Sequence, residues 1–312
     1  MNTPNQKFAF VALIGRPNAG KSTLLNQIVG QKISIVTHKV QTTRRRLLGV
    51  CTHEATQLAF IDTPGIFDHE GLGFEGQMVA CARQGLRESD IICVLIDTLG
   101  RWEEAGGLLD EALATKKPVF LLLNKIDKIE KEKLLEITAT LTKNRNIQEI
   151  FMVSALKGDG VDRFIAAAAK VAEEGPWHFE PDQLTDLPQR IWAAELTREV
   201  LFEEVHQELP YGLTVETEKW EQTKNGIKIH QMIVVEKASH KAMILGAKGV
   251  KVRSIGTAAR YRLKREMGCE VHLFLHVKVN AKWKAGAGGL DALGLDAFPL
   301  KKTETAPDND AR

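Results

Sequence analysis

Residues 8–22 read Phe8-Ala9-Phe10-Val11-Ala12-Leu13-Ile14-Gly15-Arg16-Pro17-Asn18-Ala19-Gly20-Lys21-Ser22, and this stretch decides the fold. An unbroken apolar run ending in a glycine reads as a strand buried on both faces. Gly15 to Ser22 then match G-x-x-x-x-G-K-[ST], and Thr23 continues into a helical pattern over Lys21–Val29. A glycine-rich turn between strand and helix lets backbone amides curl around phosphate oxygens, and the helix N-terminus adds a favourable dipole. Lys21 then reaches the β- and γ-phosphates, and the Ser22 hydroxyl ligates Mg²⁺. A glycine turn with a capping serine is the bland alternative, and the strand–loop–helix context disfavours it.

Outward from this point, short apolar runs alternate with helical patterns as far as about Gly175. Gln57–Ile61, Ile91–Ile96, Val119–Leu123 and Ile150–Val153 read as further strands. Met78–Arg87, Ala105–Ala114, Lys131–Lys143 and Val161–Ala172 read as helices. Such alternation predicts an α/β domain with a mostly parallel sheet and helices on both faces.

Two more motifs end strands of this set. Asp62-Thr63-Pro64-Gly65 follows Gln57–Ile61. A carboxylate there can hold the shell of a Mg²⁺ ion, and the Gly65 amide can touch a γ-phosphate. An isolated Asp and Gly after a strand is more often a turn, but the position after a phosphate loop reverses that balance. Asn124-Lys125-Ile126-Asp127 follows Val119–Leu123. An ionised Asp127 accepts from guanine N1–H and the N2 amine, whereas adenine leaves it unpaired, so the motif selects guanine. Lys125 can pack its stem over the base, and Asn124 can tie loops together. Ser154-Ala155-Leu156 could supply a backbone amide to guanine O6, or serve as an ordinary helix cap.

Glu174–Gln189 carries Pro176, Pro181 and Pro188 with little apolar periodicity and reads as a linker. Beyond it come a helix (Arg190–Gln207), two alternating strands (Thr214–Trp220 and Lys228–Glu236) joined at Lys224-Asn225-Gly226, a short helix (His240–Leu245), a longer one (Val250–Met267) and a strand (Val271–Val279). This is the pattern of a small α+β domain. Gly246-Ala247-Lys248-Gly249 lies between its two later helices and fits a G-x-x-G loop that admits a nucleic-acid backbone, and Lys248, Lys251 and Arg253 beside it read as RNA contacts. Ile244, Leu245 and Ile255 are candidates for an apolar base platform or for core. Arg260, Arg262, Lys264 and Arg265 read as a solvated face.

Composition agrees with two domains. The chain has 312 residues, 44% hydrophobic and 26% charged. Its longest apolar run, Phe8–Ile14, is far short of the ~18–20 residues of a membrane span. The N-terminal residues lack the apolar stretch of a signal peptide. Cys51, Cys81, Cys93 and Cys269 form no Cys-x-x-Cys pair, which argues against a zinc site or disulfide framework and fits a reducing cytoplasm. His272 and His276 have ligand-like spacing but fall on a strand. The formal net charge of +2 conceals a strong asymmetry. Residues 237–284 hold twelve Lys or Arg against Glu266 and Glu270, a net +10, and the remainder is net −8. One end of the chain is built to meet a polyanion.

Together the motifs resemble those of translation-factor-like GTPases. Gly15–Ser22, Gln41-Thr42-Thr43-Arg44, Asp62–Gly65 and the block Leu245–Gly256 resemble more closely the bacterial Era family, over roughly residues 7–284. The resemblance implies a P-loop GTPase domain (1–175), a linker (176–189), a type II KH RNA-binding domain (190–284) and a Gly/Ala-rich tail (285–312) without fixed structure. It implies that Gln41, Thr42, Thr43, Arg44 and Arg45 form switch I, with Thr42 or Thr43 completing the Mg²⁺ shell and Thr43 favoured. Lys21, Thr43 and Gly65 then serve GTP hydrolysis. Ile66 stands where Ras-like enzymes place a water-orienting glutamine, so slow intrinsic turnover is expected. Asn18 could help hold a K⁺ ion beside the phosphates. The partners implied are the 3′ end of 16S rRNA, the 30S subunit and, peripherally, the cytoplasmic face of the inner membrane, for a monomeric cytoplasmic protein. Rival readings are an RNA-binding protein with a passive nucleotide domain, and a GTPase whose basic module docks on acidic lipid.

Overall fold

The computed structural model describes residues 6–37, 46–63, 83–205 and 212–283. The expectations for Gln41–Arg45, for Pro64, Gly65 and Ile66, and for the tail 285–312 fall outside these residues.

The first half is built on β1 (Lys7–Ile14), β2 (Leu47–His53), β3 (Thr56–Asp62), β4 (Ile91–Asp97), β5 (Val119–Asn124), β6 (Glu149–Val153) and the two-residue β7 (Glu173–Glu174). Among the described residues they form one sheet in the order β2-β3-β1-β4-β5-β6, with β7 on β1. The pairs β3–β1, β1–β4, β4–β5 and β5–β6 are parallel, and β2–β3 is antiparallel. Successive side chains of each strand enter opposite cores. Val11, Leu13, Phe60 and Leu95 meet α1 (Lys21–Val29) and α4 (Val161–Val171) on one face. Ala12, Ile14, Val94 and Leu121 meet α2 (Gly106–Ala114) and α3 (Lys131–Thr142) on the other. The expected mostly parallel sheet with helices on both faces is thus present.

Strand β2 has no counterpart in the sequence reading. Its residues, Leu-Leu-Gly-Val-Cys-Thr-His, carry a glycine where a strand pattern would place a side chain. Packing explains the glycine: a Cβ on Gly49 would lie 2.5 Å from Leu25 Cδ1 and 2.9 Å from Ile33 Cδ1, so its absence lets α1 approach β2. The helix expected over Met78–Arg87 is described only in its last part, where residues 83–88 are helical. A 3₁₀ turn, Trp102–Ala105, precedes α2.

The proline-rich stretch after β7 is pinned to strands β1, β2 and β3. Gln57, fully buried, accepts from the N–H groups of His178 (3.1 Å) and Phe179 (3.0 Å) and donates to Phe179 O (2.9 Å). The His178 ring stacks on Phe8 at 4.0 Å. Further on, Val50 N–H donates to Leu184 O and Thr185 Oγ1 to Leu48 O.

The second half contains α5 (Gln189–Glu204), β8 (Leu213–Thr223), β9 (Gly226–Val235), α6 (Ala238–Leu245), α7 (Val250–Met267) and β10 (Val271–Val279). The sheet order is β10-β9-β8, with β9 and β10 parallel and β8 antiparallel to β9. Phe202, Val215, Ile233, Ile244, Ile255 and Val277 share its core. Trp283 is buried against Met232 and Val234. The helix–strand–strand–helix–helix–strand order is the one read from the sequence.

Candidate functional site

The end of β1 delivers the chain into a tight loop before α1. Gly15 has no room for a side chain, since a Cβ would stand 2.5 Å from Leu95 O. Gly20 is doubly constrained: its φ is +99°, and a Cβ would lie 2.3 Å from Asn124 Nδ2. Asn18 also adopts a left-handed backbone, at φ 62°. These turns place the Lys21 ammonium inside the loop, where it donates to Gly15 O at 3.0 Å and Arg16 O at 3.2 Å. Burial lowers the pKa of Lys21, and the nearby Asp62 carboxylate partly offsets this. An ammonium held by carbonyl lone pairs is ready to exchange them for anionic oxygens.

Asp62 lies at the end of β3, fully buried, and its Oδ2 accepts from Ser22 Oγ at 2.7 Å. Ser34 Oγ also donates to that oxygen, at 3.3 Å, a contact the sequence pattern gave no sign of. A hydroxyl and a carboxylate converging beside the lysine are hard oxygen donors, and they fit Mg²⁺. Thr63 Oγ1 donates to Leu13 O at 3.0 Å, fastening this strand end to β1.

The parallel register of β4, β5 and β6 brings the remaining motifs to the same end of the sheet. Asn124, 2% exposed, donates from Nδ2 to Ala19 O (2.8 Å) and accepts at Oδ1 from Ala155 N–H (2.9 Å). The expected tying of loops by Asn124 is therefore visible, and it engages the Ala155 amide within the protein. Ser154 Oγ donates to Asp127 Oδ1 at 2.8 Å, and this hydrogen bond is the leading cause of a lowered Asp127 pKa. Leu156 is exposed. Lys125 sits at φ 69° and its Nζ bonds Asp97 Oδ2 at 2.6 Å. Sequence reasoning missed Asp97, whose only sign was its place at the end of the apolar run Ile91–Ile96. It also missed Glu104, which pairs with Arg16 of the loop at 2.7 Å.

In the second half, the turn between α6 and α7 is formed by Gly246 (φ 68°), Lys248 (φ 50°) and Gly249 (φ 74°). A Cβ on Gly246 would meet Lys251 Cβ at 2.8 Å. Ala247 and Lys248 are exposed, and Lys251 is half-buried at the start of α7. Arg253 folds back, donating to Lys248 O (3.1 Å) and Gly249 O (3.2 Å), so it braces the turn. Ile244 and Ile255, offered above as base platform or core, are fully buried and belong to the core; Leu245 is half-buried. Met243 and Val250, 52% and 61% exposed, flank the turn instead.

Three of the later basic residues of α7 are engaged within the protein. Arg262 pairs with Glu199 and Glu203, Lys264 with Glu270, and Arg265 with Glu266. Among the described residues no group of three or more His, Cys, Asp or Glu could hold a metal ion.

Replacing Asn124 with Ala would leave Ala19 O and Ala155 N–H without their shared partner. We expect Asn124→Ala to cost about 1–3 kcal/mol of stability, read from urea unfolding. The loss of the loop brace should also weaken nucleotide binding.

Comparison with known proteins follows the same division. The family pattern described as "50S ribosome-binding GTPase" matches residues 10–125, and the KH domain pattern matches residues 208–284. GTPase Era of Mesorhizobium japonicum is 44% identical, with 95% of this chain and 96% of that protein covered. GTPase Era of Rickettsia canadensis is 45% identical over 89% of this chain and 95% of its own length. The structure of an Aquifex aeolicus Era variant bound to GDP·AlF₄⁻ superposes with a TM-score of 0.85 at 35% identity, covering 93% of this chain and 99% of that one. Era in complex with MgGDPNP and nucleotides 1506–1542 of 16S ribosomal RNA superposes with a TM-score of 0.86, at the same identity and coverage. With its P-loop GTPase domain, its KH domain and near-full-length similarity at this level, the chain belongs to the Era family of GTPases.

Proposed function

We propose that this GTPase is a nucleotide-operated switch that binds single-stranded RNA near the 3′ end of 16S rRNA and acts in assembly of the small (30S) ribosomal subunit. The observation that carries the reading is that one chain holds both a complete phosphate loop, with Lys21 buried inside it and Ser22 paired to Asp62, and an exposed basic G-x-x-G turn. The Era structure that contains MgGDPNP and a 16S rRNA fragment supports it. Residues 1–175 form the GTPase unit, 176–189 the linker and 190–284 the RNA-binding unit.

In the nucleotide site, Gly15, Arg16, Pro17, Asn18, Ala19, Gly20, Lys21, Ser22 and Thr23 enclose the phosphates, and Lys21 offsets charge developing on the β–γ bridge. Asp62 and Thr63 stand at the γ-phosphate side, continued in sequence by Pro64, Gly65 and Ile66. Ser22, Thr43 and, through water, Asp62 hold Mg²⁺, which when bound neutralises phosphate charge. Asn124, Lys125 and Asp127, with the turn Ser154-Ala155-Leu156, receive the guanine base. With Ile66 in the glutamine position, electrostatics and positioning carry hydrolysis, and intrinsic turnover is slow.

In the RNA site, Gly246 and Gly249 admit the backbone, while Lys248 and Lys251 meet phosphates. Arg253, exposed and braced against the turn, meets RNA beside them. Peripheral attachment to the cytoplasmic face of the inner membrane rests on the same basic surface, and no helix among the described residues is long and apolar enough to cross a membrane.

Four outcomes test this reading. Asp127→Asn replaces an acceptor with an amide donor facing the guanine N2 amine, so GTP affinity should fall by about 100-fold or more in a fluorescent-nucleotide titration. Because the Ser154 bond depresses its pKa, Asp127 stays ionised well into acid. Guanine affinity should be flat from about pH 8 to about pH 5 and decline only as Asp127 takes up a proton. A short RNA copied from the 16S 3′ end should stimulate single-turnover GTP hydrolysis, and Lys248→Asp with Lys251→Asp should abolish the stimulation. RNA bound tightly without stimulation would separate the two activities and redirect the search to a protein or intact-ribosome activator. For K⁺ beside Asn18, hydrolysis should be faster in potassium than in sodium buffer; equal rates would remove the ion from the account.

A further inference from the structure

Glu199 lies on α5 and is 1% exposed. Its two carboxylate oxygens serve different halves of the protein. Oε1 accepts from Lys32 Nζ and from the backbone N–H of Val36, both at 2.8 Å. Oε2 accepts from Arg262 Nη1 at 2.8 Å. Lys32 and Val36 follow α1 and lead in sequence towards Gln41–Arg45, the stretch read as switch I. Arg262 belongs to α7, the helix that starts at the Gly246–Gly249 turn.

The arrangement is more than a surface ion pair. A carboxylate this deeply buried needs all its donors, because any one removed leaves charge poorly compensated in a low-dielectric setting. Trp192, about two helical turns earlier on α5, donates from Nε1 to Lys32 O at 2.9 Å, so the helix grips the backbone as well as the side chain. Arg262 is fixed on its other side by Glu203, at 2.9–3.0 Å. On the far side of residues 38–45, Arg46 pairs with Glu88 at 2.9 Å, and β2 is bonded to Leu184 and Thr185 of the linker. The described residues flanking switch I on both sides are therefore held by elements outside the phosphate site, and on the upstream side the holder is Glu199.

We infer that Glu199 is a positioning residue through which the segment entering switch I and the RNA-facing helix α7 bias one another. The inference rests on the switch reading above and adds its route. A nucleotide-dependent shift of Lys32–Val36 changes how well Glu199 is satisfied, and with it the anchoring of Arg262. RNA that displaces α7 acts on Lys32–Val36 by the same path. Because such coupling is reciprocal, RNA and GTP must change each other's affinity by the same factor.

The experiment is a linkage titration on the full chain. Affinity for a non-hydrolysable GTP analogue is measured without RNA and with a saturating 16S 3′-end RNA, for the unaltered protein, Glu199→Gln, Lys32→Met, Arg262→Met and the last two combined. In the unaltered protein RNA should change analogue affinity by about tenfold. In Glu199→Gln the ratio should fall to within about twofold of unity, while analogue affinity alone and RNA affinity alone each stay within about threefold. Lys32→Met and Arg262→Met should each lower the ratio, and the combined variant should lower it no further than the larger single effect. A purely structural role would lower the melting temperature and leave the ratio unmoved, and that result overturns the inference. Lys32 and Arg262 are partly exposed, so their variants keep the test decisive if Glu199→Gln does not fold. Absence of coupling in the unaltered protein would instead overturn the switch reading and the route together, whereas coupling that survives in every variant overturns the route alone.

Discussion

The carboxamide of Asn124 is the point on which the site's geometry hangs. It ends β5 with its backbone carbonyl accepting from Thr98 Oγ1 and Thr98 N–H, while its side chain joins Ala19 O to Ala155 N–H. Two loops that are distant in sequence therefore share one buried carboxamide, and each would lose the partner of a backbone atom without it, while the loop at Thr98 is held by the backbone of the same residue. The constraint propagates to Gly20, which must lack a Cβ because Asn124 Nδ2 occupies that space. It also propagates to Lys21, whose place inside the loop depends on the turn that Gly20 makes. The sheet order β1-β4-β5-β6 makes this convergence possible by setting the ends of parallel strands side by side.

Charge in the second half follows a comparable economy. Residues 237–284 carry a large positive excess, yet both of their acids are engaged with Lys264 and Arg265, and Arg262 turns towards α5. Internal pairing thus quenches the end of α7 that is far from the glycine turn. Lys248 and Lys251 sit at the other end of the helix, where two glycines and a left-handed lysine shape the backbone. A field concentrated at a close-approach turn suits a phosphodiester chain. Met243 and Val250 beside it add exposed apolar surface to the turn.

Connection between the halves is built from buried polar contacts. Gln57 fixes the start of the linker, Thr185 joins it to β2, and Glu199 draws Lys32, Val36 and Arg262 together. Apolar contact is tolerant of sliding, whereas hydrogen bonds to a buried carboxylate or carboxamide hold only in one geometry. An interface of this kind favours discrete arrangements, which is what a nucleotide-dependent switch requires.

What the sequence determined by itself was the local grammar. Gly15–Ser22 after an apolar run, Asp62 and Asn124–Asp127 at later strand ends, and Gly246–Gly249 between two helices were each legible, because short-range backbone chemistry fixes glycine turns, strand runs and caps. So were α7 and β10, whose apolar periodicity is strong. Strand β2 was not legible, since its glycine answers to α1 packing across space and its antiparallel pairing has no local mark. Ile244 and Ile255 could not be told from base contacts until the helices were packed and their buried face was set. Asp97, Glu104, Ser34 and Glu199 look like any other polar residues in the chain. Their roles arise only from partners 28 to 167 positions away, at Lys125, Arg16, Asp62 and Lys32, and only the tertiary structure brings those partners within hydrogen-bond reach.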